Sequence, residues 1–351
     1  RATTWHGALR ACLDQLEPRP PDNALGLLYL GRDLAPFADL VLQGLREATG
    51  VTAWLGAAGH AALGGVPSPD DGRGLAVMLA ALPAGSWRLL DPLAGTSTPT
   101  ASTAAIVLAE LDSPRAAATL RDLAARTDAY LVGALSHPGE GAAQIGGGVA
   151  AGDLVALVLD RRHLALPLIA RSGKRLGPAC QITSRVGERI YALDGRTALE
   201  VVVGRLGDLA RARPERLAGE LMLAEAAPGV GRRAVTARVV AIDRAAGSLL
   251  LEPSLLKGPE IVLLRRDPAT ARHELEAALD GLASRRAGRR PAAVVWYVGR
   301  TRLARLLAAG LDEVAVIRDR LGHPPLIGLA ADSVVAADHV DGSAGVGLVL
   351  V

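Results

Sequence analysis

Apolar and polar positions along the first third of the chain fall into blocks whose period changes. Ala24-Leu25-Gly26-Leu27-Leu28-Tyr29-Leu30 is a short continuous apolar run, the pattern of a buried strand, and Gly31 ends it. Asp33 then stands where a helix cap belongs and Pro36 fits a first turn. Phe37, Leu40, Val41 and Leu45 share one face at helical spacing, up to a stop at Gly50. Val51 to Leu55 reads as the next strand and Gly56-Ala57-Ala58-Gly59-His60 as the loop beyond it. Ser68-Pro69-Asp70-Asp71-Gly72 is turn chemistry, a strand follows over 75–82, and 93–102, rich in Pro, Thr, Ser and Gly, reads as a loop.

Further along, Ser113-Pro114 and Asp267-Pro268 each set a capping side chain before Pro at the first helical position. The first of these helices gives way near Thr127 to a strand over 130–135. The second places Leu275, Leu279 and Leu282 on one face. Two hairpins are expected, 153–159 with 164–170 and 234–242 with 248–252.

An internal repeat organises these blocks. Leu27-Leu28-Tyr29-Leu30-Gly31-Arg32, a helix, Gly50 and Ala53-Trp54-Leu55-Gly56-Ala57-Ala58 form one copy. Val295-Trp296-Tyr297-Val298-Gly299-Arg300, a helix, Gly322 and Pro325-Leu326-Ile327-Gly328-Leu329-Ala330 form another. Gly50 to Gly56 and Gly322 to Gly328 are the same six-residue step, and each copy closes on an apolar strand, 75–79 and 348–351. The expected fold is α/β: two related strand–helix–strand–loop–strand halves forming mixed sheets flanked by helices, layered α/β/β/α, with added hairpins.

Composition narrows the function. Of 351 residues half are hydrophobic and 21% charged, which excludes whole-chain disorder. Aromatic residues make up only 3%, too few for an RNA-stacking sheet, and 39 Lys and Arg against 36 Asp and Glu give no electrostatic case for nucleic acid or an acidic membrane. Cys12 and Cys180 are the only cysteines and form no Cys-x-x-Cys pair, so neither a disulfide framework nor a zinc knuckle is expected. With no run of eighteen apolar residues, a cytoplasmic protein is expected, with no membrane span and no nucleic-acid partner. Enzyme signatures fail: there is no Gly-x-Ser-x-Gly elbow and no Walker loop. Gly229-Val230-Gly231 lacks a following helix, and His273-Glu274 lacks a second His because Ala277 takes its place.

Candidate chemistry therefore rests on the loops. His60 lies just past a strand end, where open α/β sheets place ligand contacts, and Asp332 is its counterpart in the other copy, each four residues past a matched Gly. Convergence of the two loops would pair a His with a carboxylate, fit to hold a polar zwitterion or a metal. His137, in Leu135-Ser136-His137-Pro138-Gly139, follows another strand and precedes a Gly-rich stretch ending at Gly148. His60 and His137 are the candidate metal ligands. Arg32 and Arg300 occupy matched post-strand positions suited to clamping a carboxylate. Cys180 reads as a buried, inert thiol, and the basic run 285–290 as a solvated linker.

Several of these stretches resemble the FIST (F-box and intracellular signal transduction) sensory-domain family. The residues that carry the resemblance are Leu27-Leu28-Tyr29-Leu30, Trp54-Leu55-Gly56-Ala57-Ala58-Gly59, Leu176-Gly177-Pro178 to Ile182-Thr183, and the stretch from Gly187 through Ile190-Tyr191-Ala192-Leu193-Asp194-Gly195-Arg196 to Val201. Pro325-Leu326-Ile327-Gly328-Leu329-Ala330-Ala331-Asp332-Ser333 completes it. The resemblance implies an N-terminal FIST-like domain over 1–165 and a C-terminal one over 166–351. It further implies a non-enzymatic, ligand-binding module that senses a small, amino-acid-like molecule and acts beside a separate kinase, cyclase or chemoreceptor. Gly56, Ala57, Ala58, Gly59, His60, Ser136, His137, Arg300, Gly328, Ala331, Asp332 and Ser333 are the expected ligand-binding positions. No cofactor is expected on this reading. A haem-bound gas sensor with a His axial ligand is the alternative, and a metal- or cysteine-dependent enzyme with no local motif is the second. The sequence departs from the family at its loops: Ala57-Ala58-Gly59-His60-Ala61 replaces a Cys/Ser-Thr-x-Gly-Glu type of turn, Ala331-Asp332-Ser333 replaces Gly-Glu, and Val298 replaces a Cys.

Overall fold

Strand by strand, the chain builds two units, residues 1–171 with 275–351 and residues 172–274, in a computed structural model. It describes residues 4–16, 24–64, 72, 74–90, 102–111, 113–127, 129–137, 144–146, 148–150, 154–171, 173–207, 211–226, 236–251, 256, 258–337, 339–341 and 344–351. Both copies of the repeat fall in the first unit, so its division does not coincide with the expected boundary at 165/166. Most of the expected turn at 68–72 and of the loop over 93–102, Pro138-Gly139 and Gly229-Val230-Gly231 lie outside the described residues.

After helix α1 (Trp5–Leu13), the first copy runs β1 (Ala24–Gly31), α2 (Ala38–Thr49), β2 (Ala53–Gly59), the short β3 (Ala61–Leu63) and β4 (Leu75–Ala81). Beyond β5 (Trp87–Leu90) the same series returns: β6 (Ser102–Glu110), α3 (Pro114–Arg126), β7 (Tyr130–Ser136), the short β8 (Gln144–Gly146) with β9 (Val149–Ala150), and β10 (Leu154–Asp160). Strand β11 (Ala165–Ala170) follows. The second unit holds β12 (Gly173–Arg175), β13 (Cys180–Val186), β14 (Arg189–Leu193), β15 (Arg196–Thr197), α4 (Ala198–Leu206), β16 (Leu221–Glu225), β17 (Thr236–Asp243), β18 (Ser248–Leu251) and β19 (Glu260–Arg266). Helix α5 (Pro268–Arg285) leads back to the first unit. There the series runs a third time: β20 (Ala293–Gly299), α6 (Arg300–Ala308), α7 (Glu313–Leu321), β21 (Leu326–Ala331), the short β22 (Ser333–Ala336) with β23 (His339–Asp341), and β24 (Gly345–Leu350).

The class is α/β with mixed sheets flanked by helices, and the repeated element occurs three times. In each copy the first strand is parallel to the second and antiparallel to the last: β1 with β2 and β4, β6 with β7 and β10, β20 with β21 and β24. The short third strand of each copy leaves its own sheet and pairs with the second strand of another. Thus β3 joins β21, β22 joins β7, and β8 joins β2, which closes a ring of exchanges. Glycines mark the same point in all three. A Cβ on Gly56, Gly133 or Gly328 would fall less than 2 Å from the carbonyl oxygen of Leu28, Val107 or Trp296, the residue opposite on the neighbouring parallel strand.

Alternation along these strands sorts side chains into two layers. Leu25, Leu27, Tyr29, Leu55, Ile106, Leu108, Val132, Val295, Tyr297 and Ile327 face a core common to the three sheets. The opposite faces are covered separately, by α2 over the first sheet, α3 over the second, and α5, α6 and α7 over the third. The shared core therefore has three sheets around it, where sequence alone suggested an α/β/β/α stack of two.

Local chemistry explains the helix limits. Ser113 Oγ accepts the Ala116 N–H at 3.1 Å, and Gly50 and Gly322 end α2 and α7 with left-handed φ of 73° and 80°. Asp33 does not cap α2. A 3-10 turn over Arg32–Phe37 precedes that helix and shifts its buried stripe to Ala38, Val41, Leu42 and Leu45, which leaves Phe37 and Leu40 exposed. The expected hairpin of 153–159 with 164–170 does not form: β10 pairs with β5 and β6, while β11 pairs with β24. The β17–β18 hairpin does form.

In the second unit, β13, β14, β18, β17, β16 and β19 pair antiparallel in a closed ring, a small barrel. Cys180 is buried in its core, as expected, where burial raises the thiol pKa and Sγ lies 3.7 Å from the Ile261 carbonyl oxygen. No helix among the described residues is long and apolar enough to cross a membrane.

Helices α6 and α7 are joined by a buried ion pair, Arg302 Nε and Nη2 to Glu313 at 3.0 and 2.6 Å, with both side chains at most 2% exposed. Removing one partner strands a charge in an apolar layer. Arg302→Ala is expected to cost about 3–5 kcal/mol in urea unfolding, whereas Arg302→Met with Glu313→Leu recovers most of it. Because the three glycines meet the same carbonyl contact, Gly133→Ala should destabilise as much as Gly56→Ala and Gly328→Ala, each by about 3 kcal/mol or more in the same assay.

Candidate functional site

The carboxyl ends of the parallel strands bring the three copies together. His60, His137 and Asp332 are equivalent residues, each the first after the second strand of its copy and each four positions past the close-approach glycine. His60 N–H donates to the Ala330 oxygen at 2.7 Å, and Asp332 N–H donates to the Leu135 oxygen at 3.1 Å, so two steps of the ring share one backbone bond. The third step departs from it. Gln144 lies seven residues past His137, where Ala62 lies two past His60 and Val334 two past Asp332, each at the same register point. That connection is five residues longer. The His137 N–H instead donates to Asp332 Oδ2 at 2.9 Å.

Asp332 is consequently the centre of the cluster. Its Oδ1 lies 3.0 Å from Arg300 Nε and 3.5 Å from His60 Nε2, and its side chain is only 12% exposed. Burial by itself would raise the carboxyl pKa. The contact with His60, the His137 N–H and the Arg300 charge outweigh burial and hold it below the ordinary carboxylate value. Arg300 opens α6 directly after β20 and is half-exposed, so its side chain meets the protein's own carboxylate through Nε and also reaches solvent. The matched Arg32 is elsewhere, 3.6 Å from Asp33.

Alternation places Ser136 on the inner face of β7 with Val132 and Ala134, level with Ala331 in β21. Its Oγ is buried and has no hydrogen-bond partner among the described residues. Deeper on the same inner face, the hydroxyls of Tyr29 and Tyr297 bond to each other, their rings edge-on at 5.8 Å, and Leu108 takes the third equivalent position. Burial pushes both phenols far above their usual pKa, so the pair is neutral.

The expected site residues thus divide. His60, Arg300, Asp332 and the His137 backbone meet, with Ser136 beside them. Gly56, Ala57, Ala58 and Gly59 are not a loop. They are the end of β2, where Ala57 faces the common core, Ala58 the α2 layer, and Gly59 lets the strand approach the Ala330 oxygen. Gly328 and Ala331 likewise lie within β21, Ala331 in the core, and Ser333 opens β22 opposite Leu135. Sequence reasoning missed Gly133, whose four-residue step to His137 repeats the other two copies. It also missed Glu110, which stands where Gly31 and Gly299 stand and pairs in register with Ser136. Among the described residues no group of three His, Cys, Asp or Glu is placed to hold a metal ion, and the His137 side chain is exposed.

A carboxylate with a folded pKa below its unfolded value of about 3.9 stabilises the fold above that value and loses the contribution as pH falls through the folded one. Wild type should therefore exceed Asp332→Asn in Tm near neutral pH. The gap should narrow as pH drops below about 4, read by thermal melts at successive pH values. Compared with known proteins, the chain matches no protein-family model, and no curated protein matches its sequence.

Proposed function

We propose that the first unit binds a small zwitterionic molecule, amino-acid-like in charge, at the Arg300–Asp332–His60 cluster. In this reading it is the ligand-binding part of a sensory protein, as the FIST resemblance implies. The observation that carries this is the position of Asp332, one carboxylate that touches residues following strands of all three copies. Opposite charges held side by side complement a ligand that carries both: its carboxylate meets Arg300 and its ammonium meets Asp332. The buried Ser136 hydroxyl adds a donor and acceptor at the same strand ends.

A ligand that takes over any of the Asp332 contacts changes what links the copies. It shifts the population between two arrangements of the loops without chemistry at the site. A separate kinase, cyclase or chemoreceptor would then read the change. Free Cys12 and buried, free Cys180 accord with a reducing, cytoplasmic setting.

The test is a thermal-shift screen of the twenty amino acids followed by calorimetry on any that raises Tm. At least one is expected to bind with Kd between about 1 μM and 1 mM, and Arg300→Ala or Asp332→Asn should weaken it by about tenfold or more. Binding that survives both substitutions would sink the assignment. So would a Soret band in freshly purified protein that disappears in His60→Ala.

A further inference from the structure

Positive charge is unevenly divided between the units. Residues 172–274 contain 17 Lys and Arg against 12 Asp and Glu, a net +5, whereas the whole chain is +3, so the first unit is net negative. Part of that excess surrounds one cleft of about 730 Å³ beside α4. Arg196 reaches it from β15, Arg244 from the β17–β18 turn, and Arg211 from just before the 3-10 turn Pro214–Leu217. All three are exposed, and neither Arg196 nor Arg244 is ion-paired among the described residues.

Two acids nearby, Glu200 and Asp243, are committed elsewhere. Glu200, the one acid among the described residues of the wall, completes the capping box of α4 by accepting the Thr197 N–H at 3.1 Å. Asp243 accepts the N–H groups of Ala245 and Ala246, both at 3.0 Å, and reaches Arg189 Nη1 at 3.4 Å. Three N–H groups at the start of α4 are also taken: Thr197 N–H donates to Glu200, Leu199 N–H to the Gly247 oxygen and Glu200 N–H to Thr197 Oγ1. Binding capacity in the cleft therefore lies with the guanidinium groups and not with the helix end. Gly247 has φ of 62°, and a Cβ there would come within 2.9 Å of Thr197. The turn that carries Arg244 is thus fixed against the residue that follows Arg196. Leu199 and Val203 supply an apolar wall.

We propose that this cleft binds a small organic molecule bearing at least two negative charges, a phosphate ester or a dicarboxylate. Guanidinium groups form forked, charge-assisted bonds to both kinds of oxygen. The volume lies within the usual range of small-molecule sites, and Leu199 and Val203 would pack against the ligand's carbon skeleton. The proposal is independent of the reading of the first unit.

Calorimetry on the full chain, with inorganic pyrophosphate and with succinate as separate probes, tests it. At low salt at least one should bind with Kd below about 1 mM and weaken as salt rises. Tighter pyrophosphate binding would identify a phosphate ester, and tighter succinate binding a dicarboxylate. Arg196→Ala with Arg244→Ala should lower the affinity by about tenfold or more. Lys174→Ala with Arg175→Ala, which removes the same charge from β12, should leave it within about twofold. All four side chains are exposed, and an unchanged melt confirms that each variant is folded. Absence of binding by both probes, or an equal loss in the β12 variant, overturns the proposal.

Discussion

None of the three sheets in the first unit is complete without a strand from another copy. The exchange of β3, β22 and β8 around a ring makes each second strand a central strand, satisfied on both edges by main-chain bonds that cross copies. Other features follow from that constraint. The second strands must be apolar on both faces, because one face meets the common core and the other a helix. They must also admit a backbone carbonyl at close range, which is why Gly56, Gly133 and Gly328 recur at one level.

The candidate site is a by-product of the same ring. Residues that leave the second strands have to turn toward the next copy, and so His60, His137 and Asp332 arrive at one place. Five extra residues in the second copy free one N–H from the ring, and Asp332 captures it. Symmetry supplies the convergence, and its local failure supplies the carboxylate with its third contact. The neutral tyrosine pair beneath shows the same logic, since two copies carry the hydroxyl and the third carries Leu108.

Much of this was legible in local pattern. Apolar runs located β1 and β20, Ser113-Pro114 began α3, and Gly50 and Gly322 ended their helices because left-handed backbone favours glycine. The His60–Asp332 pairing followed from equal spacing past matched glycines. Three things were not legible. The glycines of β2 read as loop because their purpose, approach to Leu28 and Ala330, depends on a neighbour strand. The second copy was hidden because Leu108-Ala109-Glu110-Leu111 replaces the Tyr-x-Gly-Arg signature, although Gly133 keeps the step. The partner of β11 lies at the chain's end, in β24, and no local periodicity records a contact across that separation.

The ring also has a consequence for synthesis. Strand β3 ends up against β21, and Ala61 precedes Leu326 by 265 residues. At translation rates of about 5–20 residues per second, the partner of β3 emerges about 13–50 s after β3 itself. The 172–274 barrel, contiguous in sequence, holds all its own partners and can close during that wait. The first two copies cannot, since β22, which completes the edge of β7, also comes from the last copy. A nascent chain therefore carries open sheet edges until the third copy has been made, and its yield in the cell becomes a question of what shields those edges in the interval.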